Sequence, residues 1–264
     1  MDFKGKTALV TGASSGLGEE FATQLARQGC NLILVARSQE RMNQLADTLR
    51  QRSKVNVNVI GADLSSTEAV ERLIAEVNSR AVKVDVLVNN AGLGVFENFL
   101  DTPLERQMEQ VDVNARALVV LTRAFAPAMV AARSGGIINI ASNAAFQPLA
   151  GAAVYAASKA FVLFFSEALS FELQKSNVRV LAACPGPVAT KFFAGMNPKM
   201  TAKQMDRAGV VVAEILRAFD QGRRVVIPGK LGVRIGTWGA RLMPRNMILR
   251  LAAGTVQQLN RKIA

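Results

Sequence analysis

Tyr155 and Lys159 stand four residues apart, so a helix over this stretch brings both side chains to one face. That pairing has chemical value. A tyrosine with a pKa of about 10 is a poor acid–base catalyst near neutrality. An ammonium about 4 Å away, at an effective dielectric constant near 20, favours the phenolate by about 4 kcal/mol and would bring the phenol to titrate at about pH 7. Ser142, thirteen residues upstream of Tyr155, adds a hydroxyl to the set. The chain has one tyrosine and no histidine, so neither a second phenol nor an imidazole can act as proton donor. The alternative is a buried ring with a satisfied hydroxyl beside a solvated lysine tip. The same count excludes histidine-based triads and histidine-ligated metals, and the two cysteines, Cys30 and Cys184, are too few for a zinc cluster. No metal is expected.

A second constellation lies near the start. Thr7 to Thr11 reads as a strand, Gly12-Ala13-Ser14-Ser15-Gly16-Leu17-Gly18 as a tight turn, and Glu19 onward as a helix. Glycines let a backbone approach a pyrophosphate, and a helix N-terminus offers free N–H groups and partial positive charge to it. This strand–turn–helix context points to a dinucleotide. The second strand ends Val35-Ala36-Arg37-Ser38, with no acid to grip a ribose 2′-hydroxyl. Arg37 instead suits a 2′-phosphate, with Ser14, Ser15 or Ser38 adding hydroxyls, which favours NADP(H) over NAD(H). A solvated arginine is the alternative.

These residues need a frame. Short β-branched runs at 7–11, 31–36, 55–60, 84–89, 136–141, 178–183 and 224–227 alternate with helical patterns, the sign of βαβ units. The expected fold is α/β: one doubly wound, Rossmann-type domain with a seven-stranded parallel sheet flanked by helices. The domain spans 1–264, with a core over 5–227 and a basic, apolar C-terminal extension over 228–264. Two helices, near 103–132 and 151–174, are apolar on more than one face. They are either buried between sheet and neighbours or meet a second subunit, which predicts a homodimer or homotetramer.

The glycine spacing G-x-x-x-G-x-G, rather than G-x-G-x-x-G, resembles the short-chain dehydrogenase/reductase family. The resemblance extends through Asn89-Asn90-Ala91-Gly92, Ser142, Tyr155-Ala156-Ala157-Ser158-Lys159 and Pro185-Gly186-Pro187-Val188-Ala189-Thr190, in the family's order. It covers about residues 5–227 and fits the family's compact branch. It implies hydride transfer between NADP(H) and a carbonyl or alcohol, with Tyr155 as proton donor, Ser142 polarising the substrate oxygen, Lys159 holding the nicotinamide ribose, and Asn114 relaying protons. By the same resemblance Asp63 and Leu64 contact adenine, although a helix N-cap is a rival role for Asp63. Asn90, Ala91, Gly92, Pro185, Gly186, Val188 and Thr190 complete the cofactor set, Thr190 at the carboxamide. Candidate substrate contacts besides Ser142 and Tyr155 are Phe96, Gln147, Phe192 and Met196, with 192–196 placed to close as a lid. Their apolar character suggests an apolar ketone or aldehyde, the alternatives being a steroid, a lipid carbonyl or a 3-oxoacyl group on a carrier.

The net charge is +12. After Asp220 no acidic residue occurs, while Arg223, Arg224, Lys230, Arg234, Arg241, Arg245, Arg250, Arg261 and Lys262 contribute nine positive charges in 44 residues. Among them stand Trp238, Leu242, Met243, Met247, Ile248, Leu249 and Leu251. A solvated basic face, peripheral attachment to an anionic membrane and attraction of an anionic carrier all remain open. Without a stacking platform or binding motif, nucleic acid is not expected. No leader and no uncharged apolar run of about 18 residues are seen, so a cytoplasmic, non-spanning protein is expected.

Overall fold

In the computed structural model, which describes residues 1–193 and 205–259, the seven apolar runs line up as parallel strands. They are β1 (Thr7–Thr11), β2 (Asn31–Ala36), β3 (Val57–Gly61), β4 (Val86–Asn89), β5 (Gly135–Ile140), β6 (Val178–Ala183) and β7 (Val225–Val226), in the order 3-2-1-4-5-6-7. Every pairing is parallel, with Ala8 opposite both Leu32 and Val86. The order reverses between β1 and β4, and in such sheets the crevice at the strand C-termini is where ligands bind.

Helices α1 (Gly16–Arg27), α2 (Gln39–Ser53), α3 (Thr67–Ser79) and α4 (Leu104–Val111) follow the first four strands; α4 runs through one π turn (Asp112–Arg116) into α5 (Ala117–Ala131). Then come α6 (Ala153–Leu173), α7 (Ala208–Asp220), α8 (Leu231–Leu242) and α9 (Arg245–Leu259). Side-chain alternation along the strands sorts the core. Ala8 and Val10 of β1 pack with Phe21 and Leu25 of α1, Met42 of α2 and Phe219 of α7. Leu9 faces the opposite layer with Leu73 of α3 and Leu121, Phe125 and Met129 of α5. This period of two, read on both faces, is why the strands are apolar throughout.

Several expected boundaries shift, β5 among them, which runs Gly135–Ile140 rather than 136–141. β3 and β4 begin two residues after the apolar runs that contain them. Val55 and Val84 are buried but precede the paired ladder, so burial and pairing begin at different points. The last strand is reduced to Val225–Val226 on the sheet edge. The helix expected over 103–132 starts after Pro103, its N-cap, and is interrupted by the π turn.

Two stretches, Leu104–Ala131 and Ala153–Ser176, are long and apolar enough to cross a membrane by length and composition, each with hydropathy 1.3. Their inner faces supply the core: Leu121, Phe125 and Met129 of α5 and Val162 and Leu163 of α6 are almost wholly enclosed. Their outer faces leave Leu104, Met108, Phe161, Phe164 and Phe171 exposed.

Candidate active site

The β1–α1 turn is held to β4 by a threonine. Thr11 Oγ1 accepts from the backbone N–H of Asn90 and of Ala91, each at 3.0 Å, and donates to the Val88 carbonyl at 3.3 Å. Asn90 Nδ2 returns a bond to the Thr11 carbonyl at 2.8 Å. Gly18 belongs to the same packing: a Cβ there would stand 2.2 Å from the Gly12 carbonyl oxygen. Gly12 takes φ +65° and Gly16 φ +62°, which side-chain-bearing residues rarely adopt. Ser15, the N-cap of α1, makes no side-chain capping bond, so the first N–H groups of that helix lack a hydroxyl partner.

A cleft of about 690 Å³ opens at the strand C-termini over the β1/β4 switch. Gly12, Ser14, Ser15, Gly16 and Leu17 form one wall, Arg37, Asp63 and Leu64 one end, and Asn90, Ala91 and Gly92 the floor. Pro185, Gly186, Val188 and Thr190 face them, and Ser142, Tyr155, Lys159, Phe96, Gln147 and Phe192 close the other end. Among the expected residues, Gly18 and Asn114 lie behind the lining, and Met196 falls outside the described residues.

At the inner end, α6 presents Tyr155 and Lys159 toward β5. The phenol is enclosed beside the Ser142 hydroxyl, whose Oγ donates to Asn143 Oδ1 at 3.3 Å and accepts from the Ala144 N–H at 3.1 Å. Lys159 Nζ donates to the Ile140 carbonyl at 2.8 Å and lies 5.9 Å from the Tyr155 ring centroid. Burial raises the Tyr155 pKa, with the neighbouring Ser142 hydroxyl acting in the opposite direction. Burial also pulls Lys159 down to about 8, with nearby Cys184 acting in the other direction. The phenol therefore does not fall toward pH 7 as the spacing suggested. The cost of burying a phenolate outweighs its attraction to the ammonium.

Asn114 sits inside the π turn. Its Oδ1 accepts from the Leu93 N–H at 2.8 Å and its Nδ2 donates to the Leu93 carbonyl at 2.9 Å and to Ser158 Oγ at 3.0 Å. A Cβ added to Gly92 would lie 3.3 Å from both Asn114 Oδ1 and Lys159 Nζ, so these two polar atoms flank the same point. Gln110, four residues before Asn114 and fully buried, accepts the Val95 N–H through Oε1 at 2.7 Å. The two amides together fix the loop that carries Phe96, and sequence reasoning missed Gln110.

Above the phenol, three rings cluster. Phe96 and Tyr155 are 5.1 Å apart by centroid, Tyr155 and Phe192 6.0 Å, and Phe96 and Phe192 6.3 Å in an edge contact. Leu149, which no motif marked, packs with them.

At the outer end, Arg37 is joined by Arg41, one turn into α2, another lining cation that the motifs did not mark. Arg37 NH1 lies 3.6 Å from Glu109 Oε1, both groups being solvent-accessible. Asp63 accepts from the Ser65 N–H at 3.0 Å and the Ser65 hydroxyl at 2.8 Å, which hold its pKa below the usual carboxylate range. The rival N-cap role belongs to Ser66, whose hydroxyl accepts the Ala69 N–H.

The extension beyond the sheet reaches this site. Val233 of α8 packs on Gly186, where a Cβ would lie 2.8 Å from Val233 Cγ1. Arg234 bonds the Ile227 carbonyl at 2.9 Å and Glu214 of α7 at 2.5 Å.

A family model described as short chain dehydrogenase matches residues 6–201, most of the chain. This protein is a short-chain dehydrogenase/reductase. Among solved structures it is similar to the short-chain dehydrogenase from Sphingobium yanoikuyae in complex with NADPH, with 34% identity, TM-score 0.80 and coverage of 90% of this chain and 94% of that one. It is also similar to the bulky-bulky ketone specific alcohol dehydrogenase from Comamonas testosteroni, with 31% identity, TM-score 0.78 and coverage of 91% and 95%. The very-long-chain 3-oxoacyl-CoA reductase of Bos taurus is 35% identical over 192 residues, 71% of this chain and 61% of that protein. As a short-chain dehydrogenase/reductase, the chain is an NAD(P)-dependent oxidoreductase.

Proposed function

We propose that this short-chain dehydrogenase/reductase is an NADPH-dependent carbonyl reductase, reversible to alcohol dehydrogenase, acting on a bulky and largely apolar ketone or aldehyde. The observation that carries the reading is the Ser142–Tyr155 hydroxyl pair set at the base of an aromatic wall of Phe96 and Phe192. Polar groups converge on one point while the surroundings are apolar, which suits a carbonyl flanked by hydrocarbon.

The residues present fit NADP(H). The glycine turn leaves no room for Cβ atoms at Gly18, and the α1 N-terminus offers N–H groups to a pyrophosphate. Arg37, Ser38 and Arg41 line the opposite end, where they would hold a 2′-phosphate; Asp63 and Leu64 would hold adenine and Thr190 the carboxamide. Bound there, the cofactor supplies hydride to the carbonyl carbon.

Tyr155 donates its proton to the developing alkoxide and Ser142 hydrogen-bonds the same oxygen. A raised phenol pKa keeps Tyr155 protonated at neutral pH, the form a reductase requires. Lys159, with a pKa of about 8, is the stronger acid of the two and returns a proton to the phenolate downhill. Asn114 holds the Leu93 backbone, and with it the adjoining loop, beside that ammonium. The exposed apolar residues of α4 and α6 support assembly into a homodimer or homotetramer.

A second substrate reading, a 3-oxoacyl group on coenzyme A or a carrier, is favoured by the identity to the bovine reductase and by the basic C-terminal segment. Absorbance of reduced nicotinamide, followed with NADPH or NADH against aryl ketones, aliphatic aldehydes and 3-oxoacyl thioesters, separates the readings. The expected result is turnover with NADPH well above NADH, fastest on bulky ketones and abolished in Tyr155→Phe. Undiminished turnover in that variant would remove Tyr155 as donor, and preference for small charged 2-oxo acids would refute the apolar pocket.

A further inference from the structure

Helix α8 has an apolar face packed against the fold and an apolar face exposed to solvent. Its inner face places Val233 on Gly186 and buries Thr237, while Arg234 is tied to Ile227 and Glu214. On the outer face, Leu231, Ile235 and Trp238 follow one another at spacings of four and three and are 68%, 63% and 55% exposed. Met247 and Leu251, four apart on α9, are also exposed. Monomeric proteins seldom display such a run of large apolar side chains without a use for it.

Charge indicates the partner. Beyond Asp220 the chain carries nine lysines and arginines and no carboxylate side chain, and Lys230, Arg245 and Arg250 are exposed on this segment. A second copy meeting the face through a two-fold axis would set the exposed Lys230, Arg245 and Arg250 against their own counterparts. A sheet of phosphodiester headgroups over hydrocarbon offers both halves of the complement, and the exposed leucine, isoleucine and indole match the headgroup–acyl boundary.

We propose that the outer face of α8, with the exposed apolar and basic residues of α9, docks this enzyme on an anionic membrane surface. Because the inner face of the same helix rests on Gly186, the docked protein holds its nicotinamide-side loop close to the lipid. An apolar ketone concentrated in the bilayer then meets the cleft without crossing bulk water.

The chain has one tryptophan, so Trp238 reports the contact directly. Full-length protein is titrated with vesicles of phosphatidylcholine alone or of equal parts phosphatidylcholine and phosphatidylglycerol. Indole emission and co-sedimentation are followed at low and high salt. The expected result is a blue shift and sedimentation with the anionic vesicles only, weakened by salt. Partitioning should fall roughly tenfold or more in Leu231→Glu/Ile235→Glu. Turnover of a soluble ketone by that variant shows that it is folded; should it fail to fold, Arg245→Gln/Arg250→Gln takes its place and is expected to lose anionic-vesicle binding. No shift with either vesicle, equal binding to neutral lipid, or undiminished binding by the variants would overturn the proposal. A shift that follows protein concentration without lipid would overturn it in favour of self-association, and saturable binding to a soluble acidic protein but not to vesicles in favour of a protein partner. None of these readouts depends on catalysis, so failure here leaves the reductase reading intact.

Discussion

Replacing Lys159 with methionine should give a protein that is inactive yet more stable than its parent at pH 7. Lys159 is enclosed, and burial lowers its pKa from 10.5 to about 8. That difference is worth about 3 kcal/mol and is the cost of keeping the ammonium charged inside the fold. Methionine retains most of the apolar stem and removes the charge. It also abandons the 2.8 Å bond to the Ile140 carbonyl, a loss of about 1–2 kcal/mol. The net expectation at pH 7 is a gain of about 1–2 kcal/mol, seen as a higher urea midpoint at unchanged slope. The pH dependence is more telling. Below pH 8 both folded and unfolded chains carry the proton and the cost is complete. Between about 8 and 10.5 the folded chain releases it first, so the unfolded state binds more protons and the parent gains stability as pH rises. The variant's advantage should therefore shrink across that window and be reversed at its upper end. Tyr155, raised by burial, stays protonated through most of it. Denaturation of both proteins at pH 7 and pH 9.5, with turnover measured in parallel, tests this. A variant less stable than the parent at pH 7, or a difference that does not move with pH, would show that Lys159 is not a desolvated cation.

Two further outcomes follow from contacts near the cofactor end. Thr11→Val leaves the Asn90 and Ala91 N–H groups without their 3.0 Å acceptor and should cost about 2–4 kcal/mol in urea denaturation, whereas Thr11→Ser keeps the acceptor and most of the stability; equal losses would refute the hydroxyl's role. Glu109→Gln removes a carboxylate 3.6 Å from Arg37 and should tighten NADPH binding by up to about fivefold at low salt without changing NADH, the range expected of an exposed ion pair. An identical change for both cofactors would separate Arg37 from the 2′-phosphate.

What could be read from the sequence was whatever depends on neighbours along the chain. The glycine turn, the four-residue interval from Tyr155 to Lys159 and the apolar strand runs are local patterns, and the fold places them at one cleft. Contacts between distant segments left no such trace. Arg37 meets Glu109 across 72 positions, Val95 meets Gln110 from a loop onto a helix, and Gly186 meets Val233 from a stretch that composition alone marks only as basic and apolar. The direction of the tyrosine pKa belongs with these, because spacing gives the proximity of a charge and says nothing about how much water surrounds it. Arg41 lay one turn beyond Arg37 and could have been found by continuing the helical reading.

The π turn at Asp112–Arg116 makes this site sensitive to a kind of change that no substitution mimics. Such a turn holds one residue more than a regular helix accommodates at that point. Removing one residue would let α4 and α5 run on as a single α-helix whose flanking turns keep their phase, because the widened turn is what absorbs the extra residue. Gln110 would stay on Val95, while Asn114 would lose the widened turn that aims it at Leu93. The loop bearing Phe96 would lose its Asn114 anchor, although no residue that faces the substrate had been altered. Divergence of this pocket is therefore open to point mutations along its lining and closed to a length change in the helix behind it.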